Sequence, residues 1–250
     1  MTRKLQIILM IVPIVACLGL VGWLCLLPRQ ERSIAAYSTG LRNRTRSQVH
    51  NLRLAFAALD GVIIPPGGEF SFNHAVGPWT ADKGYRRAPV SFSGERVLDW
   101  GGGVCQASTT LYNAALLAGL DIQERHRHQW PANYVPPGQD AAVAFPDIDL
   151  KFRNTLETPL RISARVVGES ALVKLYCRSE APKIGLEREV LEVVRPMTVF
   201  RYSSDRARPA TRRGHLGYDV VVYRKFLEGQ PRRELISRDS YPARNRVVWR

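Results

Sequence analysis

The sequence predicts an α+β fold in which a Gly-rich turn leads to a Cys-bearing helix beside an antiparallel sheet, with an N-terminal transmembrane helix before it and a small all-β tail after it. Three observations predict this. Residues 5–27 are uncharged and strongly apolar, two later stretches repeat their apolar residues at helical spacing, and the segments beyond about residue 130 alternate and are rich in β-branched residues. The organisation that follows is a membrane anchor over 1–28, a basic stalk over 29–51, a main domain over 52–182 and a β-rich module over 183–250.

The anchor comes first. The run LQIILMIVPIVACLGLVGWLCLL is longer than the h-region of a cleaved signal and long enough to span a bilayer, which takes about 20 apolar residues. Ile14-Val15-Ala16-Cys17 resembles a lipoprotein processing box, but apolar residues continue to Leu27 where a polar tether would follow. Arg3 and Lys4 favour a cytoplasmic amino terminus, against which Arg29 and Arg32 count, so the expectation is a single-pass cell-membrane protein with its soluble part extracytoplasmic.

Residues 28–46 are basic and rich in small residues and read as a stalk or a first surface helix. Val49, Leu52, Leu54, Ala55, Ala58 and Leu59 recur at helical spacing, and Asp60-Gly61 stops that helix before the Pro65-Pro66-Gly67-Gly68 turn. The alternation of Phe70 and Phe72 predicts a short strand, and SFSGERVLDW a second with a hairpin or loop at Gly94. From Val104 to Ala118 the pattern is that of an amphipathic helix closed by Gly119. ANYVPP, DAAVAF and the run from Asp147 to Cys177 predict antiparallel strands, with a turn at Glu169-Ser170. Two further β-like stretches, GYDVVVYRKFLEG and PRRELISRDSYP, make up the tail.

The 250 residues carry a net charge of +14, and from Lys183 to Arg250 there are 16 Lys plus Arg against 8 Asp plus Glu. No nucleic-acid motif accompanies this charge, so behind an export segment the expected anionic partners are lipid headgroups and wall polymers, and no nucleic acid. Of four cysteines, Cys105 and Cys177 lie in the soluble part, where one disulfide between them is open.

The chemistry gathers at GGGVCQ. A thiol at a helix amino terminus sits near free N–H groups and the positive end of the helix dipole, both of which favour thiolate. Gly101, Gly102 and Gly103 let backbone approach a substrate and aim N–H groups at an oxyanion. His126, His128, Asp140 and Asp149 are the groups available as base and orienter; on a strand the two histidines share one face and Arg125 and Arg127 the other. Other readings stand beside this one: a turn into a helix with a buried cysteine, a solvated histidine pair, Asp140 as a turn residue, and two histidines with a thiolate on zinc, which lacks a fourth ligand. The expectation is no metal and no cofactor.

The motifs PGGEFSFNHAVGPWTADKGY, GGGVCQASTTLYNAALLAGLDIQERHRHQWPANYVPPGQDAAV and DLKFRNTLETPLRI, in this order over roughly Leu52 to Arg178, closely resemble the VanW domain of bacterial envelope proteins. Some VanW domains are similar in role to L,D-transpeptidases. The resemblance implies that Cys105 is a nucleophile forming a thioester with a peptidoglycan stem peptide. It implies His128 as base, at the family's Arg-x-x-His position, with His126 as second candidate and Asp140 as orienter or turn residue. Gln129 and Ala142 depart from the residues most common in the family at those places. Gly102, Gly103, Gln106 and Tyr134 are expected at the substrate or around the oxyanion. The activity expected is that of an L,D-transpeptidase or L,D-carboxypeptidase on peptidoglycan stem peptides. The rival is a non-catalytic wall-binding or scaffold protein, associated with glycopeptide resistance or envelope maintenance, whose basic tail does the binding.

Overall fold

The computed structural model describes residues 30–92, 95–202 and 211–249, and the chain divides into two compact units, Met1–Glu31 and Arg32–Arg250. Among the described residues no helix is long and apolar enough to cross a membrane, and the expected span over 5–27, with Cys17 and Cys25, lies outside them.

The α+β expectation is corrected: the described residues are mostly β, with 44% strand and 16% helix. Part of the difference lies at the start. The segment read as a stalk or surface helix is instead strand β1 (Arg32–Gly40), which pairs antiparallel with Ser170–Cys177. Its small and β-branched residues tolerate a pleated, half-buried surface, and Ala35 and Thr39 are buried there.

Helix α1 (Arg46–Leu59) starts where the sequence supplies a capping box: the Thr45 side chain accepts from the Gln48 N–H while Gln48 reaches back to the Thr45 N–H. It buries Leu52, Ala55, Phe56 and Leu59. After β2 (Ile63–Ile64) and the turn closed by Gly68 N–H donating to Pro65 O at 2.9 Å, strand β3 (Glu69–Ser71) stops earlier than the Phe70/Phe72 alternation suggests. Ser71 caps a short helix α2 (Phe72–Val76), so Phe72 turns into the core while Phe70 stacks on Phe152 at 4.7 Å. Strands β4 (Arg87–Phe92) and β5 (Glu95–Trp100) form a hairpin whose expected turn residue, Gly94, is outside the described residues.

The centre of the unit is α3 (Val104–Leu117), closed by Gly119 at φ +78°. It is buried nearly all round rather than amphipathic, which follows from its lack of any charged residue. Its polar residues Gln106, Ser108, Thr109, Thr110 and Asn113 each hydrogen-bond the surrounding chain through at least one side-chain atom, while Gln106 Oε1 and Asn113 Oδ1 are buried without a partner.

Around α3 lie strands β6 (Asp121–Glu124), β7 (Lys151–Arg153), β8 (Leu160–Val167) and β9 (Ser170–Cys177). They give one sheet in the order β1-β9-β8-β2 and another in the order β3-β7-β6. ANYVPP and DAAVAF are not strands. The chain there forms a loop with isolated bridges His126 to Ala142 and Ala144 to Ile148, because its prolines withdraw ladder donors.

The tail forms two three-stranded sheets. Strands β10 (Ile184–Val194), β13 (Gly217–Phe226) and β14 (Arg232–Tyr241) make the first, in the order β10-β13-β14. Strands β11 (Thr198–Arg201), β12 (Thr211–Arg212) and β15 (Arg246–Trp249) make the second, in the order β11-β15-β12.

Candidate active site

Each glycine before Cys105 has a packing reason. Gly101, at φ +76°, lies against Trp79, where a Cβ would come within 2.1 Å of the indole. Gly102 rests on the Pro89 carbonyl, and its own carbonyl accepts from Asn51 Nδ2 at 2.9 Å. Gly103, at φ +111°, lets the chain pass so near α1 that a Cβ would sit 2.3 Å from the Gln48 carbonyl oxygen. The glycines thus bring the start of α3 onto α1 and β4; the expected close approach of backbone to a substrate is not their first use.

Cys105 is the second residue of α3, in the turn where helix amides lack intrahelical partners. Val104 N–H donates to Gly101 O at 2.9 Å and Gln106 N–H to Gly103 O at 3.1 Å. The Gln106 amide expected at the oxyanion is therefore engaged, and its side chain is turned away, donating to Thr39 Oγ1 at 3.0 Å and Gly40 O at 2.9 Å. Among the described residues the Cys105 amide has no backbone acceptor.

The face of α3 that carries Cys105 also places the rest of the site, since residues three, four and eight positions on share that face. Ser108 Oγ donates to Ala141 O at 2.6 Å, Ala141 N–H donates to Thr109 Oγ1 at 3.0 Å, and Asn113 Nδ2 donates to Gln139 O at 2.7 Å. These bonds hold residues 139–141 along the helix. Cys105 Sγ donates to Val143 O of the same segment at 3.4 Å. Opposite, Ala142 N–H donates to His126 O at 2.7 Å, which aligns His128 with Asp140. One carboxylate oxygen, Asp140 Oδ2, then accepts from His128 N–H at 2.7 Å and lies 2.6 Å from His128 Nδ1. The imidazole also interacts with the Cys105 thiol, each favouring the charged form of the other. Cys105, His128 and Asp140 are thus brought together.

The electrostatics favour an ion pair. Burial pushes the Cys105 thiol up, but the hydrogen bond and charge of His128 outweigh this and leave it below the ordinary thiol value. Burial works against a charged His128, yet its bonds to Asp140 and Cys105 lift it to about 10. Asp140 is fully buried; burial would raise its pKa, but His128 and Arg125 hold it down to about 2. The directions of these shifts favour proton transfer from the Cys105 thiol to the imidazole beside a carboxylate that stays charged.

The other expected residues fall variously. Tyr134 flanks the thiol: burial first, then the charge of Cys105, raises its phenol, against which Thr109 works, and Arg44 lies 5.0 Å over its ring. His126 points elsewhere, half-exposed with Nε2 3.0 Å from Glu124 Oε1. Asp149 accepts from Ser71 Oγ at 2.5 Å and Asn73 N–H at 2.8 Å and so fixes the start of α2. Cys105 and Cys177 are both free thiols, which corrects the open disulfide; Cys105 is partly exposed and Cys177 buried, donating to Ser179 O at 3.2 Å. Among the described residues no three His, Cys, Asp or Glu side chains converge as metal ligands.

Sequence reasoning missed Arg125, Asp239 and Tyr241. Arg125, expected on a solvated strand face, is buried. Its Nη1 donates to both oxygens of Asp239 at 2.7 Å, its Nη2 donates to Asp140 Oδ1 at 3.2 Å, and its Nε donates to Asp140 O at 2.6 Å. Tyr241 Oη donates to Asp140 Oδ1 and accepts from Gly138 N–H at 2.9 Å. Asp239 and Tyr241 stand some hundred positions from their partners, and only the folded sheet reveals them.

Comparison with known proteins gives three findings. A family model described as VanW like protein matches residues 47–176. A Bacillus subtilis (strain 168) protein, "Uncharacterized protein YoaR", is 39% identical over 145 residues, which are 58% of this chain and 48% of that protein. The "Vancomycin B-type resistance protein VanW" of Enterococcus faecalis (strain ATCC 700802 / V583) is 30% identical over 135 residues, 52% of this chain and 49% of that one. The chain spans about half the length of the curated relatives it matches. No solved structure matches it.

Proposed function

The chain belongs to the VanW family, and on that premise we propose that it is an envelope protein, related in role to vancomycin resistance, that transfers acyl groups of peptidoglycan stem peptides through a Cys105 thioester. The observation that carries this is the grouping of Cys105, His128 and Asp140, with Cys105 a partly exposed residue in the first turn of α3.

The steps follow from the geometry. The Cys105 thiolate attacks the carbonyl carbon after an L-centre of the stem, and charge moves to the carbonyl oxygen. The Cys105 amide at the helix start, without a backbone acceptor among the described residues, is the donor available to that oxygen. As the amide C–N bond breaks, the His128 imidazolium gives its proton to the leaving amine of the terminal D-residue. An acceptor amine of a second stem then attacks the thioester, His128 takes the amine proton, and the thiolate departs. With water as acceptor the same site is a carboxypeptidase. Asp140 holds His128 Nδ1 throughout, so Nε2 serves the thiol and the amine.

A wall-binding scaffold has less support, since a scaffold has no use for a partly exposed thiol kept below its ordinary pKa. The same reading places the protein at the cell membrane with its folded part outside the cytoplasm, supported by the apolar run over 5–27 behind Arg3 and Lys4. The test of activity is release of the terminal D-amino acid from a purified tetrapeptide stem. Wild type releases it and Cys105→Ala does not; equal release by the two would sink the proposal.

A further inference from the structure

The Asp140 carboxylate is held from two sides by two different parts of the chain. Its Oδ2 serves His128, while its Oδ1 accepts from Arg125 and Tyr241. The Tyr241 hydroxyl accepts the Gly138 N–H and so gives its own proton to Asp140. Arg125 is itself fixed by the two oxygens of Asp239, and Ser237 Oγ donates to Asp239 Oδ2 at 3.0 Å. Arg125, Asp140, Asp239 and Tyr241 are each at least nine-tenths buried, with side-chain exposure of 8% for Arg125, 0% for Asp140 and 9% for Asp239 and a whole-residue value of 1% for Tyr241. The loop that bears Asp140 also rests directly on the tail: at Gly138, with φ +90°, a Cβ would come within 2.7 Å of Val222 on β13. Asp239 and Tyr241 lie on β14, outside the family-matched residues 47–176.

We propose that the first tail sheet is a working part of the Cys105 centre, with Asp239 and Tyr241, together with Arg125, acting as positioning residues that fix Asp140 against His128 and so set the thiolate fraction of Cys105. This rests on the reading of Cys105 as the nucleophile. With both lone-pair sides of its carboxylate filled, Asp140 has one orientation, and the imidazole bonded to it has one too. Remove the Asp239 charge and Arg125 is left with Asp140 as its carboxylate partner, where it competes with the imidazolium for the same group. The imidazolium weakens and the thiolate loses its counter-ion.

The groups around the centre set the sign. The thiol faces His128, Asp140 and the Tyr134 phenol; Asp140 faces Arg125 and Tyr241, with Tyr112 under Arg125 at 5.6 Å; Arg44 lies beyond Tyr134. Loss of the Asp239 negative charge, acting only through space, would make the thiol more acidic. Loss of positioning makes it less acidic. The direction of the shift separates the two.

The experiment is the pH dependence of iodoacetamide alkylation of the full chain, read at Cys105 by peptide mass, with a melting curve for each variant. Asp239→Asn is expected to raise the Cys105 midpoint by about one pH unit, about a tenfold loss of thiolate below it. Tyr241→Phe, with no change of charge, is expected to slow alkylation at pH 7 about three- to tenfold while the fold melts cooperatively. Glu189→Gln on β10 of the same sheet, which breaks only a pair with Arg233, leaves the profile as in wild type. An unchanged or lowered midpoint in Asp239→Asn overturns the proposal; should that variant melt below the assay temperature, an unchanged rate in Tyr241→Phe overturns it. A wild-type midpoint at the ordinary thiol value would instead overturn the nucleophile reading itself. No peptidoglycan is needed, so absence of stem turnover bears on the proposed activity alone.

Discussion

A single oxygen of Asp140 binds His128 twice, accepting its backbone N–H at 2.7 Å and facing its Nδ1 at 2.6 Å. The double contact fixes both the place of the imidazole and the nitrogen left for Cys105. Asp140→Asn keeps the shape but removes the charge that holds the imidazolium, so the His128 pKa falls back toward its ordinary 6.5 and the Cys105 pKa rises. Alkylation of Cys105 at pH 6 is expected to drop at least about tenfold relative to wild type. An equal rate would show that the carboxylate does not govern the pair.

The same shifts fix how stability responds to pH. Asp140 is depressed to about 2 from 3.8, so its contribution is present above 3.8 and is lost as pH falls toward 2. His128, raised to about 10 from 6.5, contributes fully below 6.5 and loses that contribution as pH rises through 10. Cys105 opposes it: where its thiol is already ionised in the fold but protonated in the unfolded chain, the proton kept by His128 and the proton given up by Cys105 cancel. Cys105→Ser removes that cancellation, so above about pH 6.5 its Tm is expected to decline more steeply with rising pH than that of wild type. Parallel Tm curves for the two proteins would contradict this.

His126 and His128 differ by two positions and sharply in place. His126→Ala removes a half-exposed ring paired with Glu124 and is expected to change stem turnover less than about twofold. His128→Ala removes the proton carrier and is expected to cost about 10²–10⁴ in turnover. Equal losses in both would show that the wrong histidine has been assigned.

Gly103→Ala is expected to destabilise the fold by about 2–4 kcal/mol, because φ +111° is strained for any side chain and the new Cβ meets the Gln48 backbone oxygen at 2.3 Å. Gly61→Ala, at φ +87° with nothing within 4 Å, carries only the backbone strain, about 1 kcal/mol. Urea unfolding of the two variants measures the difference, and equal costs would contradict the packing role given to the glycine turn.

The sequence-legible part of this protein is local. The period of α1 and α3 and the glycines before Cys105 speak through neighbours in the chain, and they place the thiol, whereas the capping box at Thr45 falls in residues that read as a stalk. His128 and Asp140 were candidates as the base and orienter a thiolate needs and by the family resemblance, and the loop geometry brings these two together while His126 and Asp149 bond elsewhere. What was illegible depends on long-range pairing. Strand β1 looks like a polar stalk until Ser170–Cys177 pairs with it, and Arg125 looks like a surface cation until Asp239 closes on it. The tail likewise reads as a separate module, since no local pattern announces that Tyr241 ends against Asp140.

The central claim, that Cys105 takes up an acyl group, is tested most directly by incubating purified wild type and Cys105→Ala with a tetrapeptide stem and weighing the intact proteins. The account predicts an adduct of the acyl mass, less the terminal D-residue, on wild type alone and located at Cys105. No adduct on wild type under conditions where Cys105 alkylates readily, or the same adduct on Cys105→Ala, would contradict it.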